Sequence, residues 1–520
     1  MNRAEMVNRA EQRSEPWDMV IIGGGATGVG IAVDAASRGY DVLLLEQHDF
    51  GKGTSSRSTK LVHGGVRYLQ QGNISLVMEA LKERGILRQN APHLVSDLAF
   101  VVPNYDWWEA PFYGVGLKVY NVLAGKYGFG DSQMLSREET LARLPTIKTD
   151  GLRGGVVYYD GQFDDSRLLI NLAQTAAEQG ATLLNYARVT GVTRAADGFI
   201  DGVVAVDEES GREIRAGAKV VINATGPFLD GVRRLAEPSA QPMIAPSQGV
   251  HLVFDRSFLP GRSAIMVPHT RDGRVMFAIP WHDHTLVGTT DTPITEPTLE
   301  PKAFDDEVAF IIETAGQYLH RAPTRADVLS LFVGIRPLVR AEGAASTAAL
   351  SRDHTIHIDA SGLLSVAGGK WTTYRHMAED TVNQAAMLAR LPETGCKTRT
   401  QNIHGFHPHA EKFGALSVYG SDALVINDMI RANPPLGQAL HGALPYRLAE
   451  VVWAVRVEMA RSVEDVLARR TRALFLNTAA AVEMAPEVAR LMAAELGNDE
   501  DWQRREVAAF TDLAKLYLPA

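Results

Sequence analysis

Trp17-Asp18-Met19-Val20-Ile21-Ile22-Gly23-Gly24-Gly25-Ala26-Thr27-Gly28, followed a turn later by Asp41-Val42-Leu43-Leu44-Leu45-Glu46, is the stretch on which the architecture hinges. The apolar run up to Ile22 predicts a buried parallel strand. Ala26 to Arg38 is rich in small residues and predicts a helix, and Asp41 to Glu46 a second strand. In this strand–turn–helix–strand unit Gly23 permits the tight turn, Gly25 lets a pyrophosphate approach the backbone, and Gly28 lets helix and strand pack closely. Ala26 and Thr27 fall in the first helical turn, where unpaired N–H groups and the positive dipole end face a phosphate. Glu46 ends the second strand, about 20 residues on, where a ribose-binding acid is expected.

No second glycine fingerprint follows. Instead Val220-Val221-Ile222-Asn223 returns far downstream as a strand and ends in Ala224-Thr225-Gly226. A nucleotide-binding sheet interrupted by a long insertion and closed in this way indicates an FAD domain rather than a contiguous NAD domain. Val366-Ala367-Gly368-Gly369-Lys370-Trp371-Thr372-Thr373 adds a strand, a glycine pair and a helix start. A helix N-terminus aimed at a flavin would stabilise the charge that develops on reduction, with Lys370 adding to it or reaching a substrate.

Thr54 to Leu69 is dense in hydroxyls, bases and glycine, and includes Ser55, Ser56, Lys60, Leu61, His63, Gly64, Arg67 and Tyr68. Such a stretch can line a flavin and present Arg67 to an anion. Gly334-Ile335-Arg336-Pro337 and Ser351-Arg352-Asp353 carry further arginines, whose planar fork suits an oxyanion. Candidate proton acceptors are His63, His251, His269, His282 and His284. His282 and His284 have no convincing third ligand, so no metal site is expected.

The 520 residues exceed what one core supports. A net charge of −9 disfavours a nucleic-acid partner. The lone Cys396 excludes an internal disulfide framework and suits a reducing cytoplasm. No apolar run reaches the roughly 18 residues of a membrane span, and acidic residues at Glu5, Glu11 and Glu15 argue against a secretory signal. Residues 1–16 read as a loose or helical extension. Helices are expected at Asn73–Gln89 (exposed), Asp165–Gln179, Phe304–Leu319 and Thr372–Leu391. Ser136 with Glu139 signals a capping box, and hairpins are expected between Ala181 and Ile222. Beyond the 391–403 boundary the pattern is almost entirely helical.

Together Ile21–Gly30, Thr54–Leu69, Asn223–Pro227, Gly334–Leu338, Ser351–Asp353, Gly368–Arg375 and Glu458–Arg472 resemble the FAD-dependent glycerol-3-phosphate dehydrogenase family. The resemblance implies an α/β fold: an FAD-binding Rossmann-type domain like those of glutathione reductase and D-amino-acid oxidase, a β-rich substrate domain, and a C-terminal all-α cap. Residues 17–395 would form the oxidoreductase region, with FAD segments near 17–72, 185–230 and 330–391, and 396–520 the helical domain. It implies oxidation of sn-glycerol 3-phosphate to dihydroxyacetone phosphate, with hydride passing from C2 to the flavin and electrons to a quinone. Arg67, Tyr68, Arg336, Arg352 and Lys370 would hold the substrate, and His251, with His63 as rival, would serve as base beside Arg336 and Lys370. Val189, Gly334, Gly369, Trp371 and Thr372 would join the flavin site. A quinone acceptor implies peripheral contact with the inner face of the cell membrane. Apolar stretches with basic neighbours exist, such as Tyr113–Tyr120 and Glu458–Phe475, though each taken alone reads first as a core-packed helix with a solvated face. A homodimer is left open. Rival readings are an oxygen-reducing glycerol-3-phosphate oxidase, an amine or amino-acid oxidase of similar fold, and a non-enzymatic protein that keeps a nucleotide only as structure.

Overall fold

The computed structural model describes residues 1–65, 73–106, 109–267, 270–271, 274–340 and 353–519, with residues 109–115, 121 and 126 described by backbone alone. Met19–Ile22 is central in a six-stranded sheet. Val42–Leu45 and then Thr182–Leu184 lie to one side, and Val221–Asn223 and then Leu364–Gly368 to the other, all parallel. His354–Ile358 closes that second edge antiparallel. All four residues of Met19–Ile22 and of Val42–Leu45 are buried, because both faces of the sheet are covered. Met19, Ile21, Val42 and Leu44 pack on helices Ala26–Ser37, Asp165–Glu178 and Tyr374–Leu388. Val20, Ile22, Leu43 and Leu45 pack on a small antiparallel sheet of Ala187–Arg194, Ile200–Asp207 and Glu213–Gly217, which forms in the region where hairpins are expected.

The second layer is a ten-stranded mixed sheet. Ile244–Asp255 runs along Val328–Val339 through most of its length, and Val95–Asn104 pairs with Gly154–Phe163. One face carries its own core around Val250, Leu252 and Ile311. The other packs directly on the C-terminal helices, so Phe100, Tyr158 and Phe332 share one core with Val466, Phe475 and Met484. The helical region is therefore continuous with the sheet it covers.

The N-terminal extension takes the helical one of its two expected forms, while several other local expectations differ. The N-terminal residues make a helix, Arg3–Gln12, capped by Asn2. It is tied down by Arg3, which pairs with Asp207, and by the Met1 ammonium, which donates to the Val457 carbonyl at 2.7 Å. The helix expected to be exposed, Ile74–Asn90, buries Val77, Leu81, Glu83 and Arg84. A hairpin, Ala439–His441 with Leu444–Arg447, interrupts the C-terminal helices; Leu444 and Tyr446 point inward by the two-residue alternation of a strand. Glu458–Phe475 is not a membrane-facing stretch, because its apolar residues Val463, Val466, Leu467, Leu474 and Phe475 are all core. The capping box at Ser136 and Glu139 is present. Among the described residues no helix is long and apolar enough to cross a membrane.

His404 joins the C-terminal region to the nucleotide-binding layer. Its Nδ1 meets Glu178 at 2.6 Å and its Nε2 meets Asp422 at 2.7 Å. Burial pushes the imidazole down, but the two carboxylates outweigh it and hold it at about 9. A raised folded value means that the stabilisation is complete below the unfolded value of about 6.5 and disappears as pH rises through about 9. Melting temperatures of the parent and of His404→Gln are therefore expected to differ most near pH 6 and to converge near pH 10; a constant difference would show that His404 acts without its charge.

Candidate active site

The cofactor cradle is made by backbone that comes too close for side chains. Gly23 has φ +109°, and a Cβ there would lie 2.7 Å from the Ala224 carbonyl oxygen. A Cβ on Gly28 would lie 1.9 Å from the Gly23 oxygen. Strand end, returning strand and helix start therefore meet at one point. Gly25 caps Ala26–Ser37 with extended backbone and no side-chain bond, which leaves first-turn N–H groups for an anion. Ala26 N–H donates to Ser55 Oγ at 2.9 Å. Glu46 accepts from Gly24 N–H at 2.6 Å and from His48 N–H at 2.9 Å. Burial pushes its carboxyl up, and those two donors pull it part of the way back.

These groups open on a cavity of about 240 Å³, also lined by Thr27, Thr54, Val189, Thr225, Gly226, Gly369, Lys370 and Trp371. Gly368 and Gly369 turn the chain with φ of +75° and +77°, and a Cβ on Gly369 would lie 2.3 Å from Met377 Sδ. Trp371 Nε1 donates to the Ser55 carbonyl at 2.8 Å and so fastens this turn to the fingerprint side. An N-terminal helix end, a glycine cradle and a carboxylate at the strand terminus fit the pyrophosphate and ribose of a dinucleotide.

A second cavity of about 220 Å³ shares Thr54, Pro337 and Gly368–Trp371 with the first. Its walls include Thr59, Leu61, His63, His251, Gly334, Arg336 and Thr372. Arg336 is aimed by Asp291, 3.2 Å from its Nη1, and by the Thr290 carbonyl, 3.0 Å from its Nη2. Gly249 makes room for it, since a Cβ there would lie 2.5 Å from Nη2. The His251 ring stacks on Phe332 at 4.8 Å, and its Nε2 lies 2.9 Å from Thr59 Oγ1. Burial, then the charges of Lys60 and Arg336, push His251 well below the ordinary histidine value. Its imidazole therefore favours the neutral form.

Three expected flavin contacts stand behind the cavities instead. Ser56 Oγ donates to the Gly51 carbonyl at 2.6 Å. Lys60 is fully buried, bonded to Asp165 at 2.6 Å and to the Ser56 carbonyl at 2.7 Å. Gly64 N–H is taken by the Tyr120 hydroxyl at 2.8 Å. Each is spent on internal hydrogen bonds that fix the loop. Gly28 contributes packing, as described. His282 pairs with Asp164 and lines a separate recess, and the Nδ1 of His284 bonds the His282 carbonyl. Arg67, Tyr68, Arg352 and His269 lie outside the described residues. Thr59, Gly249 and Asp291 were not anticipated; only Thr59 had a signal, as a member of the hydroxyl-dense stretch.

The family model for FAD-dependent oxidoreductases matches residues 18–375, and that for the C-terminal domain of alpha-glycerophosphate oxidase matches residues 365–503. The mitochondrial glycerol-3-phosphate dehydrogenase of Arabidopsis thaliana is 40% identical over 541 residues, covering 96% of this chain and 86% of its own. The human mitochondrial enzyme of that name is 39% identical over 530 residues, covering 95% of this chain and 72% of its own. The chain belongs to the FAD-dependent glycerol-3-phosphate dehydrogenase family. A solved member from Bacillus halodurans, complexed with FAD, superposes with a TM-score of 0.81 at 30% identity, covering 99% of this chain and 98% of that one. Glycine oxidase from Geobacillus kaustophilus, with a TM-score of 0.53 at 20% identity, shares the fold alone.

In a family that carries FAD, the cradle can be tested directly. Gly25→Val places branched carbons where the pyrophosphate must approach, while the nearest atom to a Cβ there is Ser55 Oγ at 3.1 Å. The purified variant is expected to fold, by circular dichroism and melting, yet to lack the visible flavin bands. Gly28→Ala meets backbone instead and is expected to lower stability by about 1–3 kcal/mol or more. Full flavin content in Gly25→Val would place the cofactor elsewhere.

Proposed function

We propose that this chain oxidises sn-glycerol 3-phosphate at C2 to dihydroxyacetone phosphate and delivers the electrons to a quinone at a membrane surface. The observation that carries the reading is the position of Arg336, Lys370 and His251 on a pocket that shares the Gly368–Trp371 turn with the dinucleotide groove, in a chain of this family. FAD, when bound, supplies the two-electron acceptor. Gly23, Gly25, Ala26 and Glu46 would hold its pyrophosphate and ribose. Arg336 is pre-aimed by Asp291 and the Thr290 carbonyl, so little order is lost when it binds a phosphate oxygen. Lys370 adds a second cation on the same wall, and Arg67 and Arg352 are proposed to complete the anion site. His251, neutral and buried, takes the hydroxyl proton.

A quinone lives in the bilayer, and no helix among the described residues is long and apolar enough to span it, so docking at the surface is proposed. Helices Ile74–Asn90 and Glu109–Ala124 pack together. They expose Ile74, Met78, Val119 and Val122, the last to 80%, with Lys82 and Lys118 also exposed. With a net charge of −9 opposing general attraction to anionic lipid, these exposed apolar side chains on two packed helices are what supports peripheral docking at the cytoplasmic face.

Under anaerobic conditions the flavin bands are expected to bleach with glycerol 3-phosphate and not with NADH or amino acids. Arg336→Ala removes a charge-assisted contact worth about 1.5–3 kcal/mol, so kcat/KM for glycerol 3-phosphate is expected to fall about 10- to 150-fold. Turnover of unphosphorylated glycerol should change little, and equal losses on both would leave Arg336 a structural residue. On cell fractionation, activity is expected in the membrane fraction, released by detergent and dependent on added quinone. Soluble activity that yields hydrogen peroxide would move the chain to the oxidase reading.

A further inference from the structure

His251 sits mid-strand in Ile244–Asp255 with 3% of its surface exposed. Phe332 covers one face of its ring, and Gly288 stands so near that a Cβ there would lie 2.3 Å from its Cδ2. The Nδ1 atom is buried without a hydrogen-bond partner among the described residues. The hydrogen-bonded nitrogen is Nε2, and its partner is the Thr59 hydroxyl at 2.9 Å, which lines the substrate-side cavity with Arg336 and Lys370. A threonine hydroxyl has one proton to give and two lone pairs. It can donate to Nε2 and accept from a hydroxyl in the cavity at the same time.

We propose that Thr59 is a catalytic residue of the oxidation, relaying the proton of the substrate's C2 hydroxyl to Nε2 of His251. This rests on the substrate reading above. As the C2 hydrogen leaves with its bonding pair as hydride and C2–O becomes a carbonyl, the substrate O–H bond breaks. Its proton bonds to Thr59 Oγ1, and the proton that Thr59 carried bonds to Nε2. Threonine ends as it began, and histidine carries the charge until product leaves.

Thr59 is built to keep that geometry. On one side Ser58 donates through its N–H and its hydroxyl to Asp165, at 3.1 and 2.7 Å. On the other, the Lys60 ammonium bonds the same carboxylate at 2.6 Å. Lys60 has φ +65°, a left-handed conformation that lysine adopts only when surrounding contacts impose it. The backbone is thus pinned on both sides of Thr59, and its branched side chain has few rotamers to choose from. The described hydrogen bond of its hydroxyl is the one to His251.

The test uses the flavin-loaded enzyme and two variants. Thr59→Val keeps the shape and removes the hydroxyl, and Thr59→Ser keeps the hydroxyl. In anaerobic stopped-flow, Thr59→Val is expected to reduce its flavin about 100-fold or more slowly with glycerol 3-phosphate, the usual scale for a lost acid–base group. Thr59→Ser should stay within about tenfold of the parent, well short of that loss. Calorimetric affinity for dihydroxyacetone phosphate should be the same in all three, which separates proton transfer from binding. The dependence of rate on deuterium content of the solvent should be curved for the parent and for Thr59→Ser, with two protons in flight, and linear for Thr59→Val. If valine prevents folding or flavin loading, Thr59→Ala repeats the comparison without added bulk. Reduction of Thr59→Val at the parent rate, or equal slowing of the serine and valine variants, would overturn the relay. Failure of glycerol 3-phosphate to bleach the parent would instead overturn the substrate reading.

Discussion

The arrangement depends on one buried carboxylate. Asp49 is fully buried and takes both Nη atoms of Arg470, at 2.5 and 2.8 Å, and Nε of Arg469 at 2.5 Å. Burial alone would push its carboxyl up, but the two guanidinium groups hold it below the usual range. Removing one member of such a cluster leaves an uncompensated buried charge, typically at a cost of about 3–5 kcal/mol. The same C-terminal segment reaches further along the loop, where Arg472 donates to the Ser56 carbonyl at 2.7 Å. Beside it, Arg167 grips Glu458 through two bonds of 2.9 and 2.7 Å. Residues 49 to 60 carry Thr54, Ser55 and Thr59, so the wall shared by the cofactor groove and the substrate pocket is braced from behind by arginines more than 400 positions away. The π-helical turn Asp465–Arg470 presents Arg469 and Arg470 side by side toward Asp49, which accounts for an irregular turn in an otherwise regular helical region.

This bracing explains which parts of the site were legible in the sequence. The glycine fingerprint and Glu46 are local: strand, turn, helix and acid follow in order within thirty or so residues, and each glycine has a steric reason visible in its spacing. The turn at Gly368–Lys370 is legible for the same cause. By contrast, the hydroxyl-rich stretch after Gly53 looks uniformly suited to a flavin, yet Ser56 and Lys60 face inward. What decides their direction is Asp165, Gly51 and the C-terminal arginines, and none of these is near in the chain except Gly51. The choice among histidines was open for a like reason: the partner of His251 is Thr59, separated from it by 192 positions. The C-terminal hairpin was hidden because a short strand pair inside an alanine-rich, helix-forming region leaves only a two-residue alternation, weaker than the surrounding helical period.

Charge ties the parts together in a different way. The chain is acidic overall, yet its carboxylates at the back of the site are committed to arginines and Lys60, while Arg336 and Lys370 face the substrate-side cavity. Those cations suit a phosphate dianion better than a cationic amine, and, after burial, the charges of Lys60 and Arg336 help to keep His251 below the ordinary histidine value. The same charges oppose protonation of His251 during turnover. A bound dianion beside Arg336 offsets that cation's share of the shift. Each unit by which the imidazole recovers is worth about 1.4 kcal/mol of proton affinity. The substrate's own phosphate would therefore complete the base that acts on its hydroxyl, and an unphosphorylated alcohol in the same pocket would meet a histidine that holds a proton poorly. On this account phosphate recognition contributes to catalysis as well as to binding, through charge and not through contact with the reacting carbon.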